Sequence, residues 1–249
     1  MVPPSQVARY DEIADFYTVR TGDDVTDPAT AGLLALLPDD LAGRRLLDLA
    51  CGSGRISRVL ARRKATVVGV DISVALLNKA RASEHSDQLG ITYVHGDATI
   101  AQALAGEVFD VVVCNHGLAD IDDLDGVLAT TERVLVDNGV FVFSLLHPCF
   151  PGWGTEAPSS WAPGAGYYQE GWWLADNPGF RGKVGSNHRM LSTYLNALLR
   201  HSLTLDAVAE PPPPADWVSG KADRDLVPAF LAMRCTRTAS RRLSEDQTL

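Results

Sequence analysis

An α/β fold built on a doubly wound parallel sheet is the architecture this sequence predicts, and three observations predict it. Short apolar runs rich in Val and Leu recur between stretches of helical periodicity, the pattern of strands buried on both faces and joined by crossover helices. One run leads directly into a glycine turn, Gly52-Ser53-Gly54, and then into a helix. The chain has 249 residues, 46% hydrophobic and 21% charged, enough for one full core.

The elements follow in order. Gln6 to Val19 carries a rough helical stripe of Val7, Tyr10, Ile13, Ala14, Phe16 and Tyr17. Asp27-Pro28 before Leu33, Leu34, Leu36 and Leu37 predicts a second helix with Asp27 as N-cap and Pro28 at its first position. Strands are then expected at Leu46–Leu49, Thr66–Val70, Ile91–Val94, Phe109–Cys114 and Val140–Leu146, with helices at Gly54–Arg63, Ser73–Ser83 and Asp122–Leu135. The last of these should stop at the turn Asp137-Asn138-Gly139. A helix over Ser192–Arg200 precedes two closing strands, Leu203–Ala209 and Ala229–Thr236, joined through the Pro211 to Pro214 run.

One segment breaks the rhythm. His147 to His188 holds eight of the eighteen aromatic residues with eight glycines and five prolines. A long loop without its own secondary structure is uncommon in a compact domain and usually binds or covers something. This one leaves the fifth strand at its carboxyl end, where open α/β sheets bind ligands. The expected organisation is a single domain over 1–249, with a helical lid at 1–40 and a cap insertion at 147–188.

Net charge is −9, from 22 basic and 31 acidic side chains, a sign that repels phosphate backbones and anionic lipid. Nucleic acid and membrane are therefore not expected as partners. No apolar run approaches the roughly 20 residues needed to span a bilayer, and the first residues lack the regions of a signal peptide, so a cytoplasmic protein is expected. Cys51, Cys114, Cys149 and Cys235 lie too far apart for a zinc knuckle or a disulfide framework.

Gly52 and Gly54 let the backbone pass close to a ligand, and the helix start beyond them offers free N–H groups. Asp71 ends the next strand, 17 residues after Gly54. A carboxylate there can accept from both ribose hydroxyls of an adenosine and repels a 2′-phosphate. A dinucleotide site would want a third glycine near position 57, where this chain has Ser57. Asp48, inside the strand before the turn, can orient the loop by accepting backbone N–H bonds and can approach the amino group of an amino-acid moiety. Adenosine at one end and an amino acid at the other is the ligand these residues describe.

In these motifs the chain resembles the class I S-adenosylmethionine-dependent methyltransferases, small-molecule branch, over roughly residues 40 to 146. The resemblance rests on Asp48-Leu49-Ala50-Cys51-Gly52-Ser53-Gly54, on Val70-Asp71-Ile72-Ser73, on Gly96-Asp97-Ala98 and on Phe109 to Asn115. It implies a Rossmann-like seven-stranded sheet of order 3-2-1-4-5-7-6 with the seventh strand antiparallel, and S-adenosyl-L-methionine as cofactor. It further implies cofactor-binding roles for Asp48, Ala50, Gly52, Gly54, Asp71, Ile72, Asp97, Ala98 and Asn115. Tyr10, Tyr17 and Arg20 resemble residues that close over the cofactor from the N-terminal side.

Asn115-His116-Gly117-Leu118 is not the Asn-Pro-Pro-aromatic motif that holds a planar exocyclic amino group. A small organic acceptor of the secondary-metabolite kind, methylated at oxygen or nitrogen, is the remaining expectation. Such an acceptor must lose a proton, and histidine suits that task near neutral pH. His147, His188 and His116 stand at strand ends or at the cap's exit, with His147 first among them. Asp120, Asp122 and Asp123 read as a helix N-cap cluster, so no metal is expected. An NAD-dependent oxidoreductase, or a methyltransferase-like cyclase or scaffold without transfer, are the alternatives; oligomeric state is left open.

Overall fold

A computed structural model of the chain describes residues 8–100, 104–150, 160–162, 164–176, 178–213 and 227–238. A short 3-10 turn, Asp11–Ile13, leads into α1 (Ala14–Thr21), and α2 (Pro28–Ala35) follows. The alternating region is β1 (Arg45–Leu49), α3 (Arg55–Arg62), β2 (Thr66–Asp71), α4 (Val74–Ser86), β3 (Thr92–His95), β4 (Phe109–Asn115), α5 (Leu124–Val134) and β5 (Leu135–Leu146). The cap contributes β6 (Gly171–Trp173), α6 (Phe180–Lys183) and β7 (Ser186–His188). The chain then forms α7 (Leu191–Arg200), β8 (Leu203–Ala209) and β9 (Phe230–Arg237).

The main sheet runs β3-β2-β1-β4-β5-β9-β8. Strands β1 to β5 pair in parallel and β9 is antiparallel to both neighbours, which reproduces the expected order once the two cap strands are set aside. Alternation along each strand feeds two cores. Leu46, Val111, Val113 and Val142 meet Leu33 and Leu60 on the α2/α3 side. Leu47, Val112, Phe141 and Phe143 meet Leu128 and Leu198 on the α5/α7 side. Burial on both faces is why these strands read as continuous apolar runs.

The expected cap at Asp27 forms, its carboxylate accepting from Thr30 N–H, and Asp123 of the expected acidic cluster caps α5; Ser73, expected as the first residue of a helix, instead caps α4. Two expectations are corrected. The helix α5 ends at Val134, and the strand already pairs at Leu135 against Phe109 before a bulge and the left-handed Asn138 (φ +62°) bring Val140 opposite Val111. The segment expected as a structureless loop contains its own two-stranded antiparallel sheet, with Trp172 opposite Asn187. Three-residue strands are too short to show a period, so pattern reading passed over them. Trp153, part of the aromatic-rich cap, Gln6 and Val7 in the first helical stripe, and Pro214 in the proline run lie outside the described residues. Among the described residues no helix is long and apolar enough to cross a membrane.

Candidate functional site

The cradle forms where β1 stops. Ala50 (φ +55°), Gly52 (φ +54°) and Gly54 (φ +76°) all take left-handed backbone, which turns the chain sharply into α3. The two glycines are needed for different reasons. A methyl group on Gly52 would meet only Tyr17 and Leu76 at 3.8 Å, so that side of the loop is open toward the lid. A methyl on Gly54 would fall 2.1 Å from the Tyr93 hydroxyl, because the phenol of β3 packs beneath the loop. A side chain at position 54 would therefore project into Tyr93 and not into the open side of the loop.

Asp48 is 1% exposed, and its Oδ2 accepts from the Ser57 hydroxyl at 2.6 Å. The expected backbone role is thus performed largely through a side chain in the first turn of α3, which also explains why Ser57 stands where a dinucleotide loop has glycine. Burial pushes the Asp48 carboxyl up to about 7; the Ser57 bond opposes this and the Asp71 charge adds to it. Asp71 ends β2 with one oxygen accepting from Gly52 N–H at 2.7 Å and the other from Ser73 N–H at 2.8 Å. Each oxygen keeps a second lone pair, so the pair can still receive two hydroxyls. Burial raises the Asp71 pKa, against the two amide bonds that lower it.

The neighbouring strand ends complete the cradle. Ile72 is half-buried, and its carbonyl lies 3.2 Å from His95 Nε2. Asp97 uses Oδ1 to accept from both the N–H and the hydroxyl of Thr99, and Ala98 beside it is buried. Asn115 donates to the Thr30 hydroxyl at 3.0 Å and accepts from the Ser144 hydroxyl at 2.6 Å, so its amide is held by the scaffold.

The N-terminal segment covers this floor. Asp11 accepts from the Ser73 hydroxyl and from Ala75 N–H, which seats the lid on the start of α4. Tyr17 reaches over Gly52, and its ring meets Tyr10 edge-on at 5.2 Å. Burial pushes the Tyr17 phenol up to about 12; Arg55 opposes, while Asp120, Asp71 and Asp48 add to the rise. Those carboxylates make the surroundings of Tyr17 suited to a cationic sulfonium. Arg20 does not join them: it is exposed on α1 and lines a surface depression with Asp15, Phe16 and Val19. A helix of eight residues has room for only one face toward the loop, and Tyr17 takes it.

The three histidines differ. His147 Nδ1 accepts from Cys149 N–H at 3.1 Å, which places the ring proton on Nε2, and Nε2 lies 3.0 Å from Glu210 Oε1. The expected base therefore has both nitrogens engaged and serves to tie the β5 end to the segment after β8. His116 sits in left-handed backbone (φ +63°), its Nε2 3.7 Å from Asp27 and its ring edge-on to Phe230. Burial would raise the Asp27 pKa, but the nearby His116 imidazole and the hydrogen bond from Thr30 N–H outweigh it and hold the carboxyl well below the usual range. His188 is 2% exposed, donates from Nε2 to the Tyr167 carbonyl at 2.8 Å, and stands between Trp161 and Tyr167 with Nδ1 unpartnered among the described residues.

The sequence reading missed the loop after β4. Of its three acids only Asp123 caps α5. Asp120 accepts from the Tyr10 hydroxyl at 2.9 Å and pairs with Arg181; Asp122 pairs with Arg9 and accepts from Asn187. Arg189 donates to the carbonyls of Leu118, Ile121 and Asp122. The available signal was the cluster of basic residues in and beside the cap, Arg181, Lys183 and Arg189, facing an acid-rich loop. Among the described residues no group of His, Cys, Asp and Glu could hold a metal ion.

Comparison with known proteins agrees with this geometry. Residues 47–143 match the model of a family described as a methyltransferase domain. A ubiquinone biosynthesis O-methyltransferase from Histophilus somni is 26% identical over 160 residues, covering 60% of this chain and 66% of the relative. One from Pseudomonas fluorescens is 36% identical over 111 residues, covering 43% and 47%. The chain thus spans between about half and two thirds of the curated relatives it matches. An S-adenosylmethionine-dependent methyltransferase structure from Mesorhizobium loti superposes with a TM-score of 0.65 at 27% identity, covering 85% of this chain and 99% of that one. A second, from Listeria monocytogenes, gives 0.65 at 26% identity, covering 83% and 96%. Asp71 at the end of β2, the Gly52–Gly54 turn and the covering Tyr17 fit S-adenosyl-L-methionine, and together with the sheet order the methyltransferase-domain match over residues 47–143 and the two solved structures support a class I S-adenosylmethionine-dependent methyltransferase.

Proposed function

We propose that the protein transfers a methyl group from S-adenosylmethionine to a hydroxyl of a small, flat organic acceptor held under the aromatic cap. The observation that carries this reading is the position of the cap. Asn187 and Arg189 bind it to the loop that leaves the carboxyl end of β4, beside the cradle, and His188 is buried within it. The cofactor, when bound, supplies a methyl group on a cationic sulfur. The chain's own task is then to align the acceptor oxygen with that carbon and to exclude water, which can account for most of the acceleration of an in-line displacement.

Asp71 would accept from the ribose hydroxyls, Asp97 and Ala98 would border the adenine, and Tyr17 would close over the loop. His188 would take the acceptor's proton at Nδ1, the lone pair left open when Nε2–H is committed to the Tyr167 carbonyl. Trp161 and Tyr167 offer faces against which a flat ring can stack. The O-methyltransferase activity named for the curated relatives favours oxygen over nitrogen. A secondary metabolite remains our choice of acceptor class, and the cytoplasm our choice of compartment, the latter supported by four free thiols. A dinucleotide is disfavoured because Ser57 is committed to Asp48.

The test is methyl transfer to a library of phenols and aliphatic alcohols, followed by His188→Asn on the best acceptor. We expect kcat to fall about a hundredfold to ten-thousandfold, with S-adenosylhomocysteine binding unchanged. Transfer to no member of the library, or full activity of His188→Asn across pH, counts against this reading.

A further inference from the structure

The lid and the cap meet on one carboxylate. Asp120 Oδ2 accepts from the hydroxyl of Tyr10 in the lid at 2.9 Å, and its Oδ1 pairs with Arg181 in the cap. The backbone carbonyl of Asp120 accepts from Arg9 of the lid at 3.0 Å. Arg181 also donates to the Gly185 carbonyl at 2.9 Å, just before β7, so the same guanidinium sets the strand that carries His188. Apolar contacts run alongside: Phe180 of the cap lies 5.4 Å from Phe16 and 5.5 Å from Tyr17, and Arg9 stands over Trp172.

The lid reaches the cradle through separate contacts, Tyr17 over Gly52 and Asp11 on Ser73. We propose that Asp120 is a positioning residue that couples the two ligand sites: it ties the lid over the cofactor to the cap over the acceptor, so seating the cofactor orders the acceptor pocket. The coupling rests on the function proposed above. It requires only that the cofactor bind the lidded state more tightly than the open one, and by linkage an acceptor under the cap then tightens the cofactor by the same factor. Burial and the Asp120 charge keep the Tyr10 phenol protonated well above neutrality, so the lid's donor is constant with pH.

Hydrogen exchange on the full chain, with and without S-adenosylhomocysteine, tests the proposal. In the wild-type protein we expect the ligand to slow exchange in α1 and also in β6 and β7, the latter by about fivefold or more. Tyr10→Phe keeps the ring against Tyr17 and removes only the hydroxyl. It should retain the slowing in α1 and reduce that in β6 and β7 to less than about twofold. Asp120→Asn and Arg181→Gln should do the same, and Arg181→Lys should recover part of the effect, which a purely steric role would not. Slowing confined to α1 in the wild-type protein, or cap slowing that survives both Tyr10→Phe and Arg181→Gln, overturns the coupling alone. No binding of S-adenosylhomocysteine to the wild-type protein overturns the proposed function together with it.

Discussion

The glycine loop and the cap hub are the two halves of this site, and they are held by opposite means. Around the loop the deciding hydrogen bonds are short in sequence: Ser57 to Asp48 spans 9 positions and Gly52 to Asp71 spans 19. Around Asp120 they span 61 to 111 positions, from Arg181 on one side and Arg9 on the other. The first half can form as soon as β1, α3 and β2 pack. The second exists only after the N-terminal segment, the loop and the cap have converged, and it is built from arginines whose several donors can satisfy a whole loop of carbonyls. Under the function proposed above, the locally tied half would hold the cofactor and the half tied over long range would cover the acceptor.

The comparison breaks most decisively at Asp71. Asp71→Ala removes the acceptor of two amides and of the expected ribose hydroxyls, and we expect S-adenosylhomocysteine affinity to fall about a hundredfold by calorimetry. Unchanged affinity would take the floor away from the β2 end.

Next in size are the glycines, which sharpen the distinction between the two sides of the loop. Gly54→Ala combines left-handed backbone with a collision against Tyr93 and should lower stability by about 2–3 kcal/mol in urea titration. Gly52→Ala bears the backbone strain alone, about 1 kcal/mol, and its methyl enters the open side, so its main effect should be on cofactor affinity. Equal stability losses would mean that Tyr93 yields without cost.

On the cap side, Arg189→Gln deletes donors to three carbonyls and should lower stability by about 2 kcal/mol, visible as a reduced Tm. Its effect on cofactor affinity should be smaller than that of Asp71→Ala. A larger one would make the cap part of the floor.

The most gradual effect is with pH. Asp48 is held to about 7 by burial, so the folded protein keeps a proton that the unfolded chain releases near pH ~4. The stabilisation from neutral Asp48 is therefore complete below about pH 4, is lost progressively up to about pH 7, and stays lost above it. Asp48→Asn should abolish this decline, measured as the difference in unfolding free energy between mildly acidic and mildly alkaline buffer. The same decline in the variant would assign it to other groups.

Most of the fold was legible because its signals are local. Strand runs, the N-caps Asp27 and Asp123, and the glycine turn each lie within a few residues of what they control. The β5 start was misread because Asp137-Asn138-Gly139 looks like a helix stop, whereas Asn138 forms an irregularity within a strand already paired at Leu135. Asp48 and Asp71 were read from their positions and the structure sets both beneath the glycine loop, whereas Arg20 was carried in with Tyr17 by proximity in sequence although the helix leaves it exposed.

Sequence by itself determined the parallel sheet, the cradle and the cofactor class, since apolar period, left-handed glycine positions and a carboxylate at a strand end are properties of short segments. Tertiary structure alone decided which histidine among the described residues keeps a buried, unpartnered nitrogen, that Tyr93 fills the space behind Gly54, and that Asp120 joins lid to cap. The physical reason is that a buried polar atom must find a partner wherever the fold places one. Glu210 for His147, the Tyr167 carbonyl for His188 and Arg181 for Asp120 lie 63, 21 and 61 positions away, distances at which no local pattern specifies a pairing.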